Sequence, residues 1–131
     1  MTFQTEQETF WAENFGDAYI DRNNSEELIV RRMVNFSTML KSTQNIKSIA
    51  ELGSNIGLNS IALKRLNKKF SLIGYEINKK AVEIANTQEV GQFFCESVIN
   101  PINVSSKFDL AFTSGVLIHI NQIGRASCRE R

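Results

Sequence analysis

The sequence predicts an α/β fold with a parallel sheet, and three of its features carry this prediction. From Ile46 onward, short apolar runs alternate with helical patterns of about ten residues, which is typical of βαβ units. A loop with two glycines, "ELGSNIGLN", separates the first apolar run from the first helical pattern. An acidic residue, Glu76, ends the next apolar run. Because ligands bind at the carboxyl ends of parallel strands, these features also predict a binding site.

Two helices are expected before the sheet. Thr5 and Glu8 have the spacing of a capping box, so the first helix begins here, carries Trp11 and ends near Gly16. The stretch "FGDAYIDRNN" is expected to form a turn or a single helical turn, followed by a polar break. Ser25, with two glutamates after it, begins the second helix, in which apolar residues recur every three or four positions. One face of that helix is therefore buried.

Four strands and two intervening helices are expected from Ile46 onward. The helices cover residues 59–67 and 78–88, and Asn78 caps the second. The four strands lie in "IKSIAEL", "FSLIGYE", "QFFCESV" and "FDLAFTSG".

Charge and composition exclude several classes of protein. The formal net charge of +1 gives no electrostatic case for binding nucleic acid or an anionic membrane. No apolar run approaches the roughly 20 residues of a membrane span, and the N-terminus lacks the pattern of a secretory signal. The last nine residues, "IGRASCRER", match a translated sequencing adapter, and Gln122 then has a hybrid codon. We expect residues 123–131 to be non-native and the natural chain to continue differently.

Without that tail, Cys95 is the only cysteine. No internal disulfide and no metal site are expected, and a reducing cytoplasm fits.

The loop after the first strand matches neither of two common phosphate-binding patterns. A dinucleotide loop needs G-x-G-x-x-G, but the second and third positions hold Asn55 and Leu58. A triphosphate loop needs a lysine after its second glycine, and none follows Gly57. The remaining pattern, E-x-G-x-x-x-G, places the Glu51 carboxylate at the strand end. A carboxylate there attracts an ammonium or sulfonium group and repels a pyrophosphate.

The second acid, Glu76, completes the pattern because a carboxylate at that strand end can accept both hydroxyls of a ribose. Together with Glu51 it favours S-adenosyl-L-methionine as the cofactor. Gly53 and Gly57 let the backbone approach closely, and Asn55 tolerates a left-handed conformation. The amides that begin the following helix favour the ligand's carboxylate. An oxidoreductase with a degenerate dinucleotide loop and a non-catalytic cofactor-binding module stay open as alternatives.

Three segments resemble the first, second and fourth motifs of class I S-adenosylmethionine-dependent methyltransferases: "ELGSNIGLNSIALKRL", "LIGYEINKKAVEIA" and "FDLAFTSGVLIHIN". Upstream, "FWAENFGDAYIDRN" is similar to the opening of methylases associated with bacterial pseudaminic acid biosynthesis. The resemblance implies a Rossmann-like sheet with strands one to four present. It also implies methyl transfer to a small-molecule acceptor, with a sugar or sugar nucleotide suggested. The implied organisation is a helical lid or cap at 1–45, a partial cofactor-binding domain at 46–122, and the tail.

The resemblance also assigns roles around the adenine. Ser97 and Val98 follow the third strand, where this superfamily contacts the base, and Ile77 either packs on the base or belongs to the core. The acid usual at that position is not obvious, unless Glu96 takes the role.

Two lid residues have alternative roles. Tyr19 either shields the methyl transfer or packs between helices, and Arg22 either binds the methionine carboxylate or is solvated. His119, the only histidine, is a weak candidate for a general base. Its apolar neighbours favour a packed role, and the catalytic residue stays open. The expected cofactor-binding residues are Glu51, Gly53, Ser54, Asn55, Gly57, Glu76, Ile77, Ser97, Val98, Ser114, Tyr19 and Arg22.

Overall fold

Three helices precede the sheet in the computed structural model, which describes residues 2–104 and 107–120. They are α1 (Glu6–Ala12), α2 (Asn14–Arg22) and α3 (Glu26–Leu40). The expectation of two helices with a turn and polar break between them was therefore wrong, because α2 occupies most of that stretch. Gly16 and Ile20 are buried on one face of α2. The acidic Asp17 lies in the first turn, where a negative charge stabilises the N-terminus of a helix. This burial keeps the segment helical.

The caps expected at Thr5 and Ser25 are confirmed. Thr5 Oγ1 accepts a hydrogen bond of 3.1 Å from the Glu8 N–H, and Glu8 Oε2 accepts one of 3.0 Å from the Thr5 N–H. Ser25 Oγ accepts a hydrogen bond of 3.3 Å from the Leu28 N–H and so begins α3. Such caps satisfy backbone donors that a helix leaves without partners at its start.

The four predicted strands and both intervening helices are confirmed, and all strand pairs are parallel. The strand order is β3-β2-β1-β4, so the chain reverses its direction of travel across the sheet between β3 and β4. The carboxyl ends of all four strands consequently meet at one edge. The elements are β1 (Ser48–Leu52), α4 (Leu58–Leu66), β2 (Ser71–Glu76), α5 (Lys79–Thr87), β3 (Gln92–Cys95), β4 (Leu110–Thr113) and a short 3₁₀ helix (Leu117–His119).

The main core lies where α3 and α4 pack against the sheet. Ile49 of β1 and Leu63 of α4 are almost fully buried there, and each such side chain contributes roughly 1.5–3 kcal/mol. The Phe36 ring of α3 meets the Phe112 ring of β4 edge-on at 5.3 Å. The helix α3 is therefore part of the domain core as well as of the N-terminal segment.

No helix among residues 2–104 and 107–120 is long and apolar enough to cross a membrane. Gln122 and the expected non-native tail at 123–131 lie outside the described residues.

Candidate functional site

A cavity of about 310 Å³ lies at the carboxyl edge of the sheet. Residues of all three N-terminal helices line it, together with the segments that follow each of the four strands. Its volume falls in the range of small-molecule sites. It reaches the boundary between β1 and β4, which is the topological switch point where open α/β sheets bind ligands.

The loop after β1 has three residues in the left-handed region. Gly53 has φ of +78°, Asn55 of +48° and Gly57 of +83°. A Cβ atom on Gly53 would lie 2.1 Å from Val116 Cγ2, so only glycine fits there. Asn55 takes the left-handed conformation that its type tolerates. The loop thus turns tightly enough for its backbone to line the cavity.

Glu51 lies at the end of β1 and is 2% exposed. Its Oε1 accepts a hydrogen bond of 2.5 Å from Asn59 Nδ2, whereas Oε2 has no hydrogen-bond partner among the described residues. Burial raises the pKa of Glu51 to about 8, although the Asn59 hydrogen bond and the Arg32 charge act in the opposite direction. A buried carboxyl with one uncommitted oxygen at a cavity suits a ligand that donates a hydrogen bond and carries positive charge.

Glu76 ends β2, and backbone groups hold its side chain in place. Oε2 accepts a hydrogen bond of 2.8 Å from the Asn55 N–H, and Oε1 accepts one of 2.9 Å from the Asn78 N–H. Burial raises the pKa of Glu76, and these backbone donors counteract part of that effect. Since each carboxylate oxygen can accept two hydrogen bonds, both keep capacity for a ligand hydroxyl.

A buried pair, Glu8 and Ser97, connects α1 to the segment after β3. The Ser97 hydroxyl donates to Glu8 Oε1, and the N–H groups of Gln4 and Thr5 donate to Glu8 Oε2. Burial alone would raise the pKa of Glu8, but these hydrogen bonds outweigh it and lower the pKa. Glu8 is therefore an ionised carboxylate at neutral pH, and it lines the cavity beside Ser97.

Asn78 attaches the N-terminal helices to the sheet. Its Nδ2 donates to the Trp11 carbonyl at 3.2 Å and to Asp17 Oδ1 at 2.9 Å, and its Oδ1 caps α5 by accepting from the Ala81 N–H at 2.9 Å. A Cβ on Gly16 would lie 1.9 Å from the same Trp11 carbonyl. This close contact and the buried amide together fix the corner between α1 and α2 above the cavity.

An aromatic group forms one wall of the cavity. The Trp11 ring lies 5.4 Å from the Tyr19 ring and 4.8 Å from the His119 ring, measured between centroids, and all three residues line the cavity. The packed environment expected for His119 was wrong: it is exposed, and its neighbours Leu117 and Ile118 are 49% and 82% exposed. The apolar run that suggested packing forms an exposed 3₁₀ turn, in which backbone geometry rather than burial sets the conformation.

The structure brings most of the expected site residues together. Gly57 lies outside the cavity lining but begins α4, next to the lining residues Ile56 and Leu58. Arg22 is exposed and outside the cavity, with its guanidinium carbon 5.6 Å from the Phe15 ring centroid. The expected residues that line the cavity are Glu51, Gly53, Ser54, Asn55, Glu76, Ile77, Ser97, Val98, Ser114, Tyr19 and His119.

Among the lining residues that sequence reasoning missed are Glu8, Trp11, Arg32, Asn59 and Asn78. A signal existed for Arg32, because it lies four residues from both Leu28 and Phe36 and so interrupts the apolar face of α3 with a charge. The sequence indicates only helix caps at Glu8 and Asn78, and only a helical position at Trp11.

No family model and no curated protein matches the chain. Among solved structures it is similar to the plantazolicin methyltransferase BpumL in complex with SAH, with 18% identity and a TM-score of 0.61 over 82% of this chain and 44% of that one. It is also similar to magnesium protoporphyrin IX methyltransferase from Synechocystis PCC 6803 with bound SAM, with 14% identity and a TM-score of 0.64 over 97% of this chain and 70% of that one.

A third similar structure is the YcgJ protein from Bacillus subtilis, with 14% identity and a TM-score of 0.57 over 73% of this chain and 43% of that one. The chain spans 44% of the BpumL chain. At these identities the likeness concerns the fold, which is the Rossmann-like fold of class I methyltransferases.

Proposed function

We propose that this protein is an S-adenosyl-L-methionine-dependent methyltransferase acting on a small-molecule acceptor. The observation that carries the proposal is a pair of carboxyls, the buried Glu51 and the half-buried Glu76, at the ends of adjacent strands β1 and β2 and in one cavity. This pair fits the cofactor, because Glu51 would face its positively charged amino-acid end and Glu76 would face its ribose hydroxyls. Similar structures determined with SAM or SAH support the same reading.

The strand order defines the edge along which we place the ligand. Adjacent strands lie about 4.8 Å apart, so the edge from β3 to β4 spans roughly 14 Å. Along this edge Ser97, Val98 and Ile77 would hold the adenine of an extended cofactor, and Glu76 would accept the ribose hydroxyls. Glu51 Oε2, which has no partner among the described residues, would accept a hydrogen bond from the ammonium group.

Arg32 is the residue we assign to the methionine carboxylate, in place of Arg22. It lines the cavity, and its charge acts on Glu51, so a guanidinium and the Glu51 carboxyl face the same end of the site. One of its guanidinium nitrogens donates to the Leu28 carbonyl at 3.2 Å, and this contact orients the group. The N-terminus of α4 adds backbone donors for the same carboxylate.

The chemistry is an in-line transfer of a methyl group to a nucleophile. The bound cofactor supplies an activated methyl on its sulfonium. The protein aligns the two reactants, and Tyr19 and Trp11 exclude water on the lid side of the cavity. His119 lies in the same wall, where its imidazole is placed to accept a proton from an acceptor hydroxyl.

The acceptor we propose is a sugar or sugar nucleotide of bacterial pseudaminic acid biosynthesis, in the cytoplasm. The support for it is the sequence resemblance of residues 10–23. We assign the lid to residues 1–45, whose helices α1 and α2 line the cavity, and cofactor binding to residues 46–122. Cys95 is unpaired among the described residues, which fits a reducing compartment.

Calorimetric titration of the protein with S-adenosylhomocysteine, S-adenosylmethionine and NAD tests the proposal. The two sulfur nucleosides are expected to bind, and NAD is not. Glu76→Gln is expected to weaken both by about 1.5–3 kcal/mol, since it removes the charge that the ribose hydroxyls meet. The exposed Glu83→Gln on α5 is the matched control and should leave affinity unchanged. Tight binding of NAD without binding of either sulfur nucleoside would identify a dinucleotide enzyme instead.

A further inference from the structure

At the end of the cavity near Ser97 and Val98, where we place the cofactor's base, the sheet supplies no well-placed acidic side chain. After β3 the chain continues with Glu96, Ser97 and Val98, and all three line the cavity. Glu96 is exposed, and its backbone N–H donates to the Glu76 carbonyl at 3.0 Å. The Ser97 hydroxyl is already engaged as a donor to Glu8. A base that presents an amino group at this end therefore needs an acceptor from elsewhere.

Glu8 of α1 provides such an acceptor. It is 6% exposed, lies against Ser97 in space although 89 residues separate them, and lines the same cavity. Its Oε2 accepts two backbone N–H groups, from Gln4 at 2.6 Å and Thr5 at 3.0 Å. Its Oε1 accepts the Ser97 hydroxyl and, as a carboxylate oxygen, has capacity for one further hydrogen bond.

We propose that Glu8 recognises the exocyclic amino group of the cofactor's purine, so that the N-terminal helix rather than the sheet selects a 6-aminopurine over a 6-oxopurine. The inference rests on the proposed function and names one determinant of specificity within that site. An ionised carboxylate only accepts hydrogen bonds. It pairs with an amino group and repels the carbonyl oxygen of a 6-oxopurine.

The hydrogen bond to Ser97 also allows a simpler role, in which Glu8 only attaches α1 to the sheet. The two roles differ in their consequences. If Glu8 only attaches α1 to the sheet, its loss should lower the affinity for every ligand under the lid to a similar extent. If Glu8 contacts the amino group, its loss should change affinity differently for ligands with different bases.

The test is titration of wild-type and variant protein with two ligands, S-adenosylhomocysteine and S-inosylhomocysteine, which carries an oxygen in place of the amino group. Wild type is expected to prefer the adenosyl compound by at least about ten-fold, as hydrogen bonds to charged groups imply. Glu8→Gln should abolish most of this preference, because its amide can donate to the oxo group. Ser97→Ala removes the attachment but keeps the carboxylate, so it should retain the preference. Glu96→Gln is the matched control and should retain it as well.

Equal weakening of both ligands by Glu8→Gln and by Ser97→Ala would overturn the proposal and leave Glu8 as an attachment. Loss of the preference in Glu96→Gln would overturn it too. Should Glu8→Gln fail to fold, Glu8→Asp gives the same test, because the shorter side chain withdraws the carboxylate from the base. If wild type bound neither ligand, the proposed function itself would be overturned. If wild type bound both and the Glu8 variants kept the preference for the adenosyl compound, only the role of Glu8 would be overturned.

Discussion

Asn59 Nδ2 donates a hydrogen bond of 2.5 Å to Glu51 Oε1, while Oε2 of the same carboxyl has no partner among the described residues. One hydrogen bond does not offset the cost of burying a charge, and the pKa of Glu51 is accordingly raised to about 8. At neutral pH the carboxyl of the unliganded protein is therefore mainly protonated. A ligand ammonium at Oε2 reverses this preference, because it stabilises the ionised form.

Ligand binding is consequently expected to release protons. At pH values below the Glu51 pKa of about 8, S-adenosylhomocysteine should displace up to about one proton, and affinity should rise with pH until about 8. Calorimetry at one pH in two buffers of different ionisation enthalpy measures the number of protons released. Glu51→Gln should give equal heats in both buffers. Equal heats in wild type would show that the protonation state of Glu51 does not change on binding.

The same carboxyl should make stability depend on pH. Its pKa in the folded protein is raised from 4.5 to about 8, so its contribution to stability is fully present below about 4.5 and is lost as the pH rises toward 8. Within this window the free energy of unfolding should fall by at most about 1.4 kcal/mol per pH unit. Urea unfolding of wild type and Glu51→Gln should show the variant gaining stability relative to wild type as the pH rises. Parallel pH profiles would contradict the raised pKa.

Gly53→Ala should destabilise the protein for two separable reasons. The added Cβ would lie 2.1 Å from Val116 Cγ2, and φ of +78° disfavours any residue with a Cβ. We expect a loss above about 1 kcal/mol in thermal or urea unfolding. Combining it with Val116→Ala should recover the steric part only. Complete recovery in the double variant would mean that the backbone conformation carries no cost.

Because we assign the methionine carboxylate of the ligand to Arg32, we expect Arg32 and Arg22 to differ in their effect on ligand affinity. Arg32→Ala should weaken S-adenosylhomocysteine by about ten-fold or more, as loss of a charge-assisted hydrogen bond implies. It should leave methylthioadenosine, which lacks the amino-acid end, unaffected. Arg22→Ala should change neither affinity, because Arg22 lies outside the cavity. The opposite pattern, in which Arg22→Ala alone weakens the first ligand, would restore the sequence-based assignment.

Much of the fold could be predicted from sequence because its signals are local. The alternation of apolar runs and helical patterns set the four strands, and capping residues such as Thr5, Ser25 and Asn78 set where helices begin. The helix α2 was missed because Gly16 and the polar residues near it suggested a turn, whereas close packing on the Trp11 carbonyl and a hydrogen bond from the distant Asn78 to Asp17 hold it. Tertiary contacts of this kind override local propensity.

The residues of the site likewise fall into those that local sequence signals predict and those that tertiary contacts place. Glu51, Gly53 and Glu76 could be found because their spacing follows from strand ends and a tight turn. Glu8 could not, since the packing of α1 against the sheet places it. For Arg32 the sequence offers only a charge that interrupts the apolar face of α3, and its position in the site follows from the packing of that helix. The assumption about His119 was wrong for a related reason: apolar neighbours in sequence do not ensure burial in space.

A crystal structure of the protein with S-adenosylhomocysteine would show whether the cofactor lies along the edge from β3 to β4. The expected complex has the adenine between Glu8 and Val98, the ribose hydroxyls on Glu76, and the ammonium group within hydrogen-bond distance of Glu51 Oε2. A ligand bound with its amino-acid end at β3, or bound outside this cavity, would contradict the account.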